Sequence, residues 1–322
     1  MVCALIIACF IAVESTWRWP MTGGLQVKRY YLAHTQERFD IIFLGTSVAR
    51  QNIDATLFAD TGSGCTLSAY NAGIPAMTPL ELRDYLEAIR SNPHLRQRYL
   101  VIDMEIFTRP YLVDDHSFRA GWYKRGLNLD LAWPWFEKED RSLAEYGRFL
   151  YGYFINTIRT GQATVWSLED PSRYIRAAEA GHAAARFGGF NPLYELPLTL
   201  MSERKKRAKM RQLDRTYERG IEGFDSDIPK AFQVMIEIIV SEARQIATPV
   251  LLFMPAGEYR GDMIAFVRAR YPDLPVLDYN VYDYPAFLDL GMWRDYRHLN
   301  WEGADILTQY LYRDFCDMAP SS

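Results

Sequence analysis

Sulfur is scarce in this sequence. Four cysteines occur in 322 residues, at positions 3, 9, 65 and 316, and no two of them have the close spacing of a zinc-ligand pair. That excludes a zinc module and a dense disulfide framework. Cys3 and Cys9 lie in the apolar N-terminus. Cys65 and Cys316 suit a single bridge in an exported domain and, equally, two free thiols. Histidine is rare too, with five copies at positions 34, 94, 116, 182 and 298, so there are few candidates for a general base near neutral pH. An excess of charge of one sign is also missing. Thirty-six Lys and Arg stand against 40 Asp and Glu, a net charge of -4. The basic run Arg204-Lys205-Lys206-Arg207 is short and reads as a solvated helix face, so no nucleic-acid partner is expected. No internal repeat or low-complexity tract is present, which sets aside solenoids and fibrous assemblies.

A long hydrophobic run is missing as well. Met1–Val13 is apolar throughout, but a spanning helix needs about 20 residues. Glu14 interrupts the run, and Trp17, Arg18 and Trp19 follow, residue types that suit a membrane interface. No basic residue precedes the run and no small-x-small site follows it, which argues against a cleaved signal peptide. Residues 1–19 therefore read as a signal-anchor, with a buried N-terminal core helix as the competing reading. Residues 20–322 then form the folded domain.

What is present is an alternation of strands and helices. Phe39–Leu44 is a short apolar run ending at Gly45, as expected of a buried strand. Thr78 can cap a helix over Pro79–Ser91, with Pro79 in its first turn and Glu81 three residues after the cap. Tyr99–Phe107 reads as the next strand. From Thr108 to Asp227 the alternation stops, and the segment is rich in Tyr, Trp, Arg and Gly. Its Trp122, Trp133, Trp135 and Trp166 read as core packing ahead of sugar platforms, and Ser202–Arg219 reads as a charged helix. Alternation then resumes with a helix over Pro229–Ala247, a strand over Pro249–Met254, a helix over Tyr259–Tyr271, a short strand over Pro275–Leu277 and a closing helix over Trp301–Phe315. This is an α/β plan, a parallel sheet flanked by helices, with a large, mainly helical insertion at about 108–227. In such sheets ligands bind beyond the carboxyl ends of the strands.

Two stretches carry chemistry. Gly45-Thr46-Ser47 falls just past the first strand, and Asp295-Tyr-Arg-His298-Leu-Asn300-Trp-Glu-Gly303 precedes the last helix. A serine becomes a nucleophile when a histidine takes its proton, and a carboxylate holds that histidine in the required tautomer. Asp295 is close enough to reach the His298 ring within one turn of chain. Each residue also has an ordinary structural use, Ser47 as a helix cap and His298 as a packing residue.

In this order, on this strand pattern, the chain resembles the SGNH (GDSL-like) hydrolase superfamily and its membrane-anchored polysaccharide O-acyltransferase-like branch. Gly45-Thr46-Ser47 matches the first block with Thr for Asp, Asn71-Ala72-Gly73 matches the second, and Asp295-x-x-His298 matches the last. The resemblance covers about Phe39–Phe107 and Pro229–Phe315 and leaves the insertion unmatched. It implies a flavodoxin-like SGNH core and a triad of Ser47, His298 and Asp295. It also implies an oxyanion hole from the Ser47 and Gly73 N–H groups with Asn71 beside them. No cofactor and no metal are implied. The third block departs from the pattern. The family has an asparagine donor there, and this chain reads Ile102-Asp103-Met104-Glu105-Ile106-Phe107. Arg50, Asn71 and Arg109 are candidate substitutes, and Asp103 or Glu105 can contact the loops around the nucleophile.

The implied activity is O-acetyl transfer to an extracytoplasmic polysaccharide through an acyl-Ser47 intermediate, as in proteins that acetylate alginate or cellulose or help D-alanylate teichoic acids. The expected partners are a polysaccharide acceptor, an acyl donor, the membrane through the N-terminal segment, and a membrane acyltransferase or polysaccharide synthase complex. The domain would then be periplasmic or at the cell surface. The alternatives are a carbohydrate esterase or deacetylase with the same triad, and a catalytically degenerate polysaccharide-binding or scaffold module.

Overall fold

Short runs with apolar side chains at every position cannot leave either face in water, so they must be covered on both sides. Ile41-Ile42-Phe43-Leu44 is such a run, and all four residues are buried. A computed structural model describes residues 24–60, 65–108, 130–131, 147, 204, 207–211, 228–255, 261–281, 283–295 and 297–319. In it these runs form five parallel strands: β1 (Ile41–Leu44), β2 (Ala69–Asn71), β3 (Tyr99–Asp103), β4 (Thr248–Phe253) and β5 (Val276–Asp278). Their order across the sheet is β2-β1-β3-β4-β5, the flavodoxin-like arrangement. The register pairs Ile42 with Tyr70 on one side and with Leu100 on the other.

Strand residues alternate between two cores. Ile42, Leu44, Leu100, Ile102, Leu251 and Phe253 face one side. There they meet α1 (Gly24–His34), α4 (Pro79–Ser91), α5 (Lys230–Arg244) and α6 (Gly261–Arg270). Ile41, Phe43, Val101, Val250 and Leu252 face the other side. They meet α2 (Ser47–Asn52), α3 (Leu57–Asp60) and α7 (Trp301–Met318). On the second face Phe43, Phe58 and Phe315 pack ring against ring, with centroids 5.5–6.2 Å apart. The parallel sheet with helices on both faces is thus as the sequence implies.

Local signals held in detail at α4. Thr78 accepts from the Glu81 N–H at 3.3 Å while Glu81 accepts from the Thr78 N–H at 3.0 Å, a reciprocal cap. Two strands differ from the sequence reading. Ala69–Asn71 is a strand that the alternation pattern does not include; at three residues its periodicity is too short to read. The expected strand over Tyr99–Phe107 ends at Asp103, and Met104–Thr108 is a turn of 3-10 helix.

The reading of residues 1–19 as an anchor lies outside the described residues. Among the described residues no helix is long and apolar enough to cross a membrane. Most of the insertion also lies outside them. Of that segment, residues 130–131, 147, 204 and 207–211 are described and are helical. Arg83 of α4 pairs with Asp130 at 2.6 Å, and Leu131 is fully buried in the first core.

Cys65 and Cys316 form a disulfide with Cα atoms 5.8 Å apart, joining the segment after α3 to α7 across 251 residues of chain. Closing so long a loop removes entropy from the unfolded chain, typically a gain of about 2–4 kcal/mol. Reducing agent is therefore expected to lower the unfolding free energy of the wild type, read from urea titration, by that amount, and with it the urea midpoint. It should leave the Cys65→Ser/Cys316→Ser double variant unmoved. Equal midpoints with and without reductant in the wild type would show that the bridge contributes nothing.

Candidate active site

β1 delivers the chain to the carboxyl edge of the sheet and stops at Leu44. Gly45 follows in a place with no room for a side chain, since a Cβ there would lie 2.4 Å from the Ala49 Cβ and 2.7 Å from the Asp103 Cβ. Thr46 then caps α2, its hydroxyl accepting from the Val48 N–H at 3.2 Å. Ser47 is the first residue of that helix, half-buried. The turn is fixed from β3. The Thr46 N–H and hydroxyl both donate to Oδ2 of Asp103, at 3.0 and 3.1 Å, and the Glu105 N–H donates to Oδ1 at 3.0 Å.

The other half of the site is a loop between Trp293 and Leu299, which pair as an antiparallel bridge. Within it Asp295 Oδ1 accepts from the N–H groups of Arg297 and His298, at 2.8 and 2.9 Å. The same carboxylate meets His298 Nδ1, at 2.8 Å from Oδ2. With Nδ1 donating to Asp295, His298 Nε2 is the acceptor, and it lies 2.9 Å from Ser47 Oγ. So the three residues singled out in the sequence meet, across 251 residues of chain. Partial burial pushes the Asp295 carboxyl up, but the hydrogen bonds and charge of His298 outweigh it and hold the pKa below the usual carboxylate range.

Asn52, at the far end of α2, accepts from the Leu299 N–H at 3.0 Å and so ties the serine helix to the histidine loop. Asn300 caps α7 by accepting from the Gly303 N–H at 2.9 Å. A Cβ on Gly303 would meet the Met292 carbonyl at 2.5 Å, which accounts for that glycine.

Two expected oxyanion donors have other work. The Gly73 N–H donates to Asn71 Oδ1 at 2.9 Å. Asn71 is fully buried and gives its amide protons to the carbonyls of Ala49 and Ile53, at 2.8 and 2.7 Å. Asn71 therefore braces β2 against α2, and Gly73 is needed because a Cβ there would lie 2.7 Å from the Arg50 backbone nitrogen. In this structure the donors expected of Gly73 and Asn71 for the oxyanion are thus engaged in these bonds. The Ser47 N–H, by contrast, makes no hydrogen bond among the described residues. Of the other candidates, Arg50 is half-buried on α2 and is not among the residues lining the Ser47 cleft. Arg109 lies outside the described residues.

That cleft is lined by Thr46, Ser47, Val48, Ala76, Met77, Thr78, Glu105, Ile106 and Arg297. Ala76 has a φ of 50°, a left-handed backbone that a non-glycine residue adopts only when its surroundings impose it.

Sequence reasoning missed several residues. Lys28 of α1 is buried and donates to the carbonyls of Asn71 and Gly73, at 2.8 and 2.9 Å. Burial, helped by the charge of Arg50, lowers its pKa to about 7. Lys209, from the insertion, is also buried, with Nζ 3.8 Å from the Trp293 ring centroid. Burial brings its pKa down to about 8 against the pull of Asp295. Buried lysines carry no periodic signal, and a lysine in a charged stretch reads as solvated. Arg297 was visible inside the Asp-x-x-His block but masked by its neighbours.

No protein-family model matches the chain, and no curated protein matches it.

Asp103 yields a test. Burial, then the charge of Glu105, raises its carboxyl from the ordinary 3.8 to about 7 against the three hydrogen bonds it accepts. The folded state thus holds the extra proton between those two values. Stability from this group is full below the unfolded pKa and is lost as pH rises towards 7. Asp103→Asn should remove that component. It should also cost about 1–3 kcal/mol at acid pH, where both side chains are neutral, because an amide NH2 then faces Thr46 or Glu105. Parallel curves of unfolding free energy against pH for the two proteins would contradict the assignment.

Proposed function

We propose that this chain is a serine-dependent acyltransferase of the SGNH type, held at a membrane by residues 1–19 with its catalytic domain outside the cytoplasm. It moves an acetyl group through acyl-Ser47 to a hydroxyl of a polysaccharide. The observation that carries the reading is the unbroken relay from Ser47 Oγ through His298 to Asp295, with contacts of 2.9 and 2.8 Å.

The steps follow from that relay. His298 Nε2 takes the Ser47 proton as Oγ bonds to the donor's ester carbonyl. Asp295 holds the tautomer that leaves Nε2 free to accept, and it stabilises the charged ring. The Ser47 N–H donates to the oxyanion. Collapse breaks the bond to the donor's alkoxy oxygen, which leaves with the proton from His298. An acceptor hydroxyl then gives its proton to His298, attacks acyl-Ser47 and leaves acetylated, while Ser47 regains its proton. Transfer outruns hydrolysis when the acceptor is held close and water is kept out. Lys209 supports an insertion that approaches the catalytic loop, since its ammonium packs on Trp293, two residues before Asp295. The acyl donor is supplied by a membrane acyltransferase or a polysaccharide synthase complex.

A second reading has one observation in its favour. With Gly73 and Asn71 committed elsewhere, a site short of oxyanion donors suits a polysaccharide-binding or scaffold module.

The test incubates the protein with a small acetyl ester and a panel of oligosaccharides and reads products by mass spectrometry. Acetylated oligosaccharide is expected, with Ser47→Ala and His298→Ala lowering turnover by about 10⁴-fold or more and Asp295→Asn by about 10²–10⁴-fold. Fast release of acetate with no acetylated sugar would assign an esterase. Oligosaccharide binding without any Ser47-dependent chemistry would assign the non-catalytic module.

A further inference from the structure

The transition state of acyl transfer places negative charge on the former carbonyl oxygen, and losing one donor to that oxygen costs on the order of 10²–10³ in rate. The Ser47 N–H supplies one donor. At the neighbouring carboxyl edge the resemblance expects an asparagine, and β3 instead runs out into Glu105, whose ionised side chain only accepts. Glu105 holds a donor there. Its Oε1 accepts from Arg297 Nη1 at 3.2 Å, and both side chains line the Ser47 cleft.

We propose that Arg297 is the second oxyanion donor of this site, carried into the cleft by Glu105; the proposal rests on the acyl-transfer reading above. Arg297 precedes His298 directly, and its N–H is fixed at 2.8 Å on Asp295, the carboxylate that also orients the imidazole. One short loop thus sets the base and the donor together. A guanidinium presents five N–H groups in a planar fork, so one arm can rest on Glu105 while another meets an oxyanion. A charged donor is roughly twice as strong as a neutral amide, which compensates for a neutral donor lost. The side chain is 25% exposed, so its charge is only partly screened. Arg297 keeps all its protons throughout. The carbonyl π pair moves to oxygen as the Ser47 bond forms, an Arg297 N–H hydrogen-bonds that oxygen, and the pair returns when the leaving alkoxide departs.

The same guanidinium could instead bind a carboxylate on the substrate, and kinetics separate the two roles. With purified full chain and neutral p-nitrophenyl acetate, Arg297→Ala is expected to lower kcat about 100-fold with KM within about twofold. Arg297→Lys should fall between. Added guanidinium ion should restore part of the Arg297→Ala rate and none of the Ser47→Ala rate. Fluorophosphonate labelling of Ser47 should slow in parallel. If Arg297→Ala does not fold, by circular dichroism and melting, Arg297→Lys and Glu105→Gln carry the test through the same split of kcat from KM. A kcat within about threefold of the wild type, beside clear Ser47-dependent turnover, would overturn the proposal and leave the acyl-transfer reading standing. A rise in KM confined to carboxylate-bearing esters would overturn it too and assign Arg297 to substrate binding. A wild type with neither Ser47-dependent turnover nor labelling would bring down the acyl-transfer reading and this proposal with it.

Discussion

Asp103 ends β3 with its carboxylate shut away from water, and three donors converge on it. Two come from Thr46 and one from Glu105. A buried carboxylate is costly unless it is fully hydrogen-bonded, so the turn after β1 can settle in few other ways. Thr46 is pinned at the cap of α2, and Ser47 is the next residue. The same end of β3 then turns to place Glu105, with Arg297 on it, in the Ser47 cleft. Asn52 carries the constraint across α2 to Leu299, and Asn71 ties α2 to β2. A short helix is thereby held at both ends by buried polar contacts that reach three separate parts of the chain.

How much of this could be read in advance depends on the length and periodicity of each signal. The apolar runs of β1, β3 and β4 declared a buried parallel sheet, and Thr78-Pro79-x-Glu81 declared the start of α4 to the residue. β2 escaped because three residues cannot display a period. The end of β3 was overrun because Ile106 and Phe107 are apolar in a 3-10 turn as they would be in a strand. Ser47, Asp295 and His298 were visible because motif order and strand pattern agreed. The hydrogen bonds of Gly73 and Asn71 were not, since a motif names residue types and not the bonds they make. In the folded chain the Gly73 N–H donates to Asn71 Oδ1, and the Asn71 amide donates to the carbonyls of Ala49 and Ile53. Lys28, Asn52 and Lys209 act through burial that only the tertiary fold creates.

The buried lysines are of one kind with Asp103. Each is a charge-bearing group withdrawn from water next to the loops that hold the triad, and each has a pKa moved towards neutrality. Lys28 braces the loop after β2 and sits on α1, the first described helix after the N-terminal segment. Lys209 comes from the insertion and packs on the loop that carries Asp295. The loops around Ser47 and Asp295 are therefore braced by residues from outside the five-stranded sheet.

The central claim is that Ser47 becomes covalently acylated because His298 takes its proton. The most direct measurement is rapid quenching of the protein after mixing with an activated acetyl ester, followed by intact-mass and tandem mass spectrometry. One acetyl increment is expected, located on Ser47, accumulating ahead of steady state in the wild type and absent from Ser47→Ala and His298→Ala. An unmodified Ser47 at every quench time, or an acetyl group found on another residue and unaffected by loss of His298, would contradict the account.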